Sequence, residues 1–282
     1  MLTGDSKENE TDPTLIRRRQ KGSTCVQKFA DKKKLPALIH VSEPDHGISG
    51  AGLKRIAMIC MLLDHTGTIL IGPLIHQKGL LHGWTILYWM LRAVGRISFP
   101  VYCFLLAEGF SNTRNVQKYL LRLLSWGLIS EFPYDLAFSG QACDWHSQNV
   151  LLTLFLGLSA LVMLRNPSFE SEKGCRPFPL VMKVPCIAIL VGAAEIAHCD
   201  YGAKGVILII SMFHFREKVR LRNTVSGILL LLTSPLEVTA FASFPLLQRY
   251  NSTRGNQSKF GMYLFYPAHL MLLCLARHLI LY

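Results

Sequence analysis

The sequence predicts an all-α, polytopic bundle of transmembrane helices with about seven to nine spans, and three observations carry that reading. Half of the residues are hydrophobic, only 17% are charged, and the mean hydropathy is +0.30. A soluble domain of this length carries roughly a quarter charged residues to cover its surface. The apolar residues come in blocks, such as 157–164 and 228–233, rather than in stripes. The net charge of +12 is gathered in clusters between those blocks, which is how cytoplasmic loops look under the positive-inside rule. Weak alternation in short segments, the mark of a membrane β-barrel, is missing. The basic balance therefore points to the lipid bilayer as partner, and no nucleic acid is expected.

Residues 1–52 form a basic segment with no apolar core, punctuated by Pro13, Pro36 and Pro44 and carrying Arg17-Arg18-Arg19 and Lys32-Lys33-Lys34. Its composition reads as a disordered cytoplasmic tail, free to touch anionic lipid. The membrane domain spans 53–282. Its first span covers 53–71, starts past Lys54 and Arg55, and with the tail argues for a cytoplasmic amino terminus. An outer loop with Pro73 leads to a second apolar stretch ending near Phe110, with Trp84, Tyr88 and Trp89 as its interfacial belt. Arg114, Lys118 and Arg122 mark an inner loop and the start of span three, which ends near Leu136. The loop 138–148 contains no Lys or Arg, as an outer loop should.

Span four covers 149–164, followed by a basic inner loop with Arg165, Lys173, Arg176 and Lys183. Spans five and six join around Asp200-Tyr201-Gly202, and Arg216, Lys218, Arg220 and Arg222 follow. The stretch 224–247 is interrupted at Ser234-Pro235-Leu236-Glu237, so it is one kinked span or two short helices. Arg249, Arg254 and Lys259 precede the last span, 260–281. Eight cysteines lack any CxxC or His/Cys ligand spacing, and no metal is expected. Cys143 and Cys199 both fall near the outer surface, where a disulfide is conceivable.

Ionisable groups inside spans cost several kcal/mol unless paired, so each is a functional candidate. Asp64 and His65 lie ~15 Å into the first helix, near the midplane. Arg92 and Arg96 share a face of the second span, with Glu108 at its inner end. Glu131 and Asp135 flank Pro133 in the third, Glu195 pairs in register with His198, and Tyr266 with His269 beside Pro267. The plain alternative is that acids and arginines pair off and only hold helices together. The chemical reading makes His65 a general base. Adjacent residues point about 100° apart on a helix, so Asp64 does not orient that imidazole, and Glu131 or Asp135 is expected to do so. Arg96 is the candidate oxyanion partner. His269 suits hydrogen-bonded packing as well as catalysis. No GxSxG, Walker or HExxH pattern supports a hydrolase, ATPase or zincin.

Several strings carry a family resemblance. Leu53-Lys54-Arg55-Ile56-Ala57-Met58 with Leu62-Leu63-Asp64-His65, and 95–110 from Gly95-Arg96-Ile97-Ser98-Phe99-Pro100 to Ala107-Glu108-Gly109-Phe110, resemble the TraX family of conjugal-transfer and fimbrial-assembly membrane proteins. Thr113-Arg114-Asn115, the 128–135 block ending Glu131-Phe132-Pro133-Tyr134-Asp135, and Asn149 to Thr153 follow in order. So do Asp200-Tyr201-Gly202, 250–255 and Phe265-Tyr266-Pro267-Ala268-His269, colinear from Leu53 to the carboxyl end.

The resemblance implies a multi-pass inner-membrane acetyltransferase that takes acetyl-CoA as donor and acetylates the amino terminus of a conjugative pilin or a similar envelope acceptor. The spacing of Lys54 and His65 is also similar to the pairing in acyltransferase-3 membrane enzymes, implying an acyltransferase-3-like bundle. On this reading Lys54, Arg114, Lys118 and Arg122 bind the donor's phosphates, with solvated loop charge as the other explanation. A proton-coupled transporter and a non-catalytic pilus-assembly factor are the alternatives.

Overall fold

The structure, a computed structural model, describes residues 47–79, 83–165, 168–171, 174–177, 179–256 and 258–281. Most of the basic tail and Lys173 lie outside the described residues. The chain is a helical bundle, and the departure from the all-α expectation is one antiparallel hairpin, β1 (Ser168–Ser171) with β2 (Gly174–Pro177). It lies in the basic loop after the fourth apolar helix. A two-stranded ribbon leaves open edges, which only the region outside hydrocarbon tolerates.

The first span is α1 (Gly50–Thr66), a π-helical turn (Gly67–Ile71) and α2 (Gly72–Lys78). Ser49 caps its start by accepting from the Gly52 N–H. The π turn closes with the Gly72 N–H on the Gly67 carbonyl, one residue before Pro73, which has no N–H to continue an ordinary ladder. The second stretch is α3 (Gly83–Gly95) and α4 (Ser98–Asn112), joined by a single turn at Arg96 and Ile97. Then come α5 (Val116–Phe138), α6 (Val150–Leu164), α7 (Leu180–Ile196) and α8 (Gly202–His214). The ambiguous stretch resolves into α9 (Val219–Leu231), a 3₁₀ segment (Pro235–Ala242) and the short α10 (Ser243–Gln248). The last helix is α11 (Lys259–Leu281).

Three runs are long and apolar enough to cross a bilayer: Gly50–Lys78, Gly83–Asn112 and Phe260–Leu281. Val150–Leu164 and Gly202–His214 are shorter apolar helices. The centre of the bundle is α4, whose Phe99, Val101, Phe104, Leu106, Ala107 and Phe110 are buried all round its axis. It packs on α1, α6 and α8, while α11 lies along α5. The outward faces are apolar instead of polar: Leu128, Ile129 and Phe132 on α5, Val181, Val184 and Ile189 on α7, Leu272, Leu275 and Leu279 on α11. A surface of that composition matches lipid and not water.

The basic loops meet at one end. Ile48 donates to the Arg249 carbonyl and accepts from Asn251, and Gly50 and Ala51 donate to the carbonyls of Thr253 and Arg254. The start of α1 is thereby clamped by the 249–256 loop, and Gly255, at φ 67°, lies against Ser49 and Ala51 where a Cβ has no room. At the other end Arg277 on α11 donates to the carbonyls of Leu136 and Ala137, satisfying the last turn of α5.

Helix contact in the first half depends on glycine. A Cβ on Gly95 would lie 2.2 Å from the Asp64 Cβ, whereas one on Gly192 meets nothing within 4 Å. Gly95→Ala is expected to lose ~1–3 kcal/mol or more by overpacking and Gly192→Ala to be near neutral, read from thermal unfolding in detergent.

Candidate functional site

Asp64, 6% exposed, reaches from α1 to the guanidiniums of Arg92 on α3 and of Arg96 in the turn that follows it. Arg92 Nη1 donates to Oδ2 at 2.7 Å and to Thr68 Oγ1 at 2.9 Å, and Arg96 Nη2 donates to both carboxylate oxygens at 2.7 Å. Arg96 Nη1 turns the other way, to Glu237 Oε1 and the Tyr201 hydroxyl, each at 3.2 Å. Tyr201 in turn donates to Glu237 at 3.2 Å. Two arginines and two carboxylates thus neutralise each other across α1, α3, the 3₁₀ segment and the start of α8. Arg96 has only its Nε–H left without a partner, so its two NH₂ groups are taken up in structure rather than held open for an oxyanion.

The Asp200-Tyr201-Gly202 string belongs to this cluster. Tyr201 sits at φ 64°, a strained conformation for a bulky side chain. Its ring stacks on Phe99 at 3.6 Å and its hydroxyl is spent on Arg96 and Glu237, which hold it there. The Thr153 hydroxyl donates to the Asp200 carbonyl, tying the same turn to α6. Glu237 was the residue that pattern reading missed. It appeared as part of a helix break, and nothing local signals that the break folds back against α3, where Thr239 also donates to the Ala93 carbonyl at 2.8 Å.

His65 faces away from this cluster, toward α11. Its Nδ1 lies 2.7 Å from Nε2 of His269, and Nδ1 of His269 lies 2.7 Å from the Phe265 carbonyl oxygen. A carbonyl only accepts, so His269 carries its proton on Nδ1, and in the neutral pair its Nε2 offers a lone pair. His65 must then donate from Nδ1, which leaves His65 Nε2 unprotonated. The expectation that Glu131 or Asp135 orients His65 is corrected here: the orienting group is His269, anchored in turn by backbone. Phe138 and Tyr266 stand edge-on to the His65 ring, at 5.5 and 6.2 Å between centroids.

Glu131 instead accepts from Asn149, from Nδ2 at 2.5 Å and the backbone N–H at 3.2 Å. Asn149 also caps α6 through the Leu151 N–H, so one side chain ties the start of α6 to α5. Asp135 accepts from the Asp144 N–H at 2.9 Å, pinning the loop between α5 and α6. Glu131 Oε2 and Asp135 Oδ1 are buried without a partner. In the adjoining loops, the His146 N–H and imidazole hold Asp144 below the usual carboxylate range. Burial, with the Glu131 and Asp200 charges adding to it, pushes the Cys199 thiol up to about 11. Cys143 and Cys199 are free thiols, so no disulfide joins them.

At the basic end, Lys54 lies within the electrostatic reach of Arg254 and Arg122. Arg122 sits over the Tyr119 ring and its charge acts on the Tyr263 hydroxyl, with its Nε buried and unpartnered. Arg254 joins this group because the 249–256 loop clamps α1. Arg114 and Lys118 are solvent-exposed, Lys118 one helical turn before Arg122 on α5, and no group of three metal-ligating side chains occurs among the described residues.

A polytopic helical membrane protein with a buried ion cluster on one face of its first helix and an imidazole pair on another is the class these features define. The sequence model of the TraX protein matches residues 49–277, and the chain belongs to the TraX family. It is 30% identical over 256 residues to the probable fimbrial assembly protein FimC, serogroup H1, of Dichelobacter nodosus, covering 80% of this chain and 94% of that protein. An uncharacterised protein of Rickettsia prowazekii is 24% identical over 173 residues, covering 60% of this chain and 57% of its own length. No solved structure matches the chain.

Asp64→Asn leaves two half-buried guanidiniums facing a neutral amide. The expected cost is about 3–5 kcal/mol, read as lost folded yield or a lower midpoint in detergent, with the imidazole pair untouched.

Proposed function

We propose that this protein is a multi-pass acetyltransferase of the inner membrane, taking acetyl-CoA on the cytoplasmic side and delivering the acetyl group to an amine or hydroxyl of an envelope acceptor such as a pilin. The observation that carries the reading is the Phe265 carbonyl–His269–His65 chain, which leaves His65 Nε2 as a base inside the bundle. In the proposed step His65 Nε2 takes the acceptor's proton as its nitrogen or oxygen attacks the thioester carbon. The C–S bond then breaks, and the imidazolium returns the proton to the departing thiolate. His269 keeps the tautomer and orientation of His65 and shares the positive charge, as a positioning residue.

Lys54, Arg122 and Arg254 suit the donor's phosphates. Lys54 and His65 are eleven residues apart on one helix, about 16 Å at 1.5 Å per residue, a distance that the extended pantetheine arm of CoA bridges between pyrophosphate and thioester. The basic loops gathered at one end support a cytoplasmic position for that end and for the amino terminus. A second reading, favoured by the fimbrial-assembly relative, is a non-catalytic assembly factor in which the imidazole pair only joins α1 to α11.

Purified protein incubated with radiolabelled acetyl-CoA and candidate acceptors separates the two. His65→Ala is expected to lower labelled product by about 10²–10⁴-fold with folding retained. His269→Ala lowers kcat with an unchanged KM for acetyl-CoA, and His269→Gln, which keeps an acceptor oxygen, retains more activity. Transfer undiminished by His65→Ala would sink the catalytic reading and leave the assembly role. In the same assay Lys54→Ala and Arg254→Ala are expected to raise the KM for acetyl-CoA roughly tenfold each with little change in kcat, the signature of lost ground-state binding.

A further inference from the structure

At the basic end, on helices that do not carry Lys54, two more guanidiniums are set on aromatic rings. Arg165, at the carboxyl end of α6, lies over Phe110 at 5.2 Å, and Arg216, just past α8, lies over Phe213 at 4.9 Å. The two phenylalanines touch edge to face, with centroids 5.3 Å apart, so one platform from α4 and α8 carries both cations. The two charges are close enough to act on each other. Like charges held together in a partly apolar setting repel. Arg165 has one N–H on the Phe110 carbonyl at 3.3 Å. Arg216 has one contact with Glu217 at 3.6 Å, whose side chain is 66% exposed and so screened by water. Arg216 itself is 9% exposed, and its Nε–H is buried with no acceptor.

An unmatched buried guanidinium N–H costs free energy that an oxyanion recovers, and a planar fork of donors fits a phosphate better than any neutral group. The structure assigns Arg165 and Arg216 to a phosphate-binding clamp, separate from the group around Lys54 and independent of the acyl-transfer reading. Its ligand is a phosphate group at the bilayer surface, borne either by an anionic lipid head or by a soluble phosphate.

The full chain tests this. Thermal unfolding is measured in nanodiscs of phosphatidylcholine, in nanodiscs containing phosphatidylglycerol, and in neutral detergent with and without inorganic phosphate, for wild type and Arg165→Gln/Arg216→Gln. A higher midpoint with phosphatidylglycerol that the double variant loses supports a lipid-head clamp. A higher midpoint with free phosphate, likewise lost, supports the same clamp with a soluble ligand. Wild-type midpoints that respond to neither probe, or a rise equally large in the variant, overturn it. Should the double variant fail to fold, Arg216→Lys replaces it: it keeps the charge, removes the fork, and is expected to shrink the probe-induced rise, whereas an unchanged rise counts against the clamp.

Discussion

The pairing of Asp64 with Arg92 and Arg96 is the constraint on which the rest of the bundle depends. In hydrocarbon a lone carboxylate or guanidinium is far more costly than the pair, so α1 and α3 are obliged to meet at this height. Gly95 and Gly67 are the local means, since each lets the neighbouring helix come within side-chain contact distance. The π turn after Thr66 sits beside the same cluster, with Thr68 donating to the Asp64 carbonyl at 3.0 Å and accepting from Arg92. Two arginines on one acid leave a surplus positive charge. Glu237 supplies the balance, and that requirement explains why a 3₁₀ segment with a proline start folds back against α3 instead of continuing as a helix.

With the ion cluster fixed on one face, the next residue of α1 is directed elsewhere. Successive side chains on a helix diverge by about 100°, so His65 meets α11 and not α3. A single helix therefore serves two purposes at one depth: a saturated electrostatic joint through Asp64, and an imidazole with an uncommitted ring nitrogen through His65. Separating them matters chemically. A carboxylate against His65 would favour the charged imidazolium, whereas a neutral imidazole backed by a backbone carbonyl favours the unprotonated base.

The bundle is polar along its axis. The basic loops, the clamp between residues 47–51 and 249–254, and the guanidiniums of Arg122, Arg165, Arg216 and Arg222 gather at one end. The opposite end carries Glu131, Asp135, Asp144 and Asp200. Arg222 shows how strongly cations are drawn into the basic end: it is fully buried, lies over Phe104 at 5.2 Å, and donates from Nε and Nη2 to the Oδ1 of the neighbouring Asn223. An end so rich in cations attracts anionic ligands and anionic membrane surfaces alike.

Apolar blocks and charge clusters are local properties of the chain, and they sufficed to determine the helical membrane class, the order of the helices, the polar residues embedded in them, and the family strings from Leu53 onward. Helical period alone also told that Asp64 does not orient the imidazole of His65. Which partners they take was decided only by tertiary structure. His269 rather than Glu131 faces His65 because α11 packs along α5 beside the first span, and Glu237 reaches Arg96 because the chain reverses after α9. Arg254 joins Lys54 through a backbone clamp between segments some two hundred residues apart. Contacts between distant segments depend on how helices are placed around α4. That placement follows from neutralising buried charge and fitting side chains into the gaps left by glycine, sums over the whole bundle that no local pattern contains.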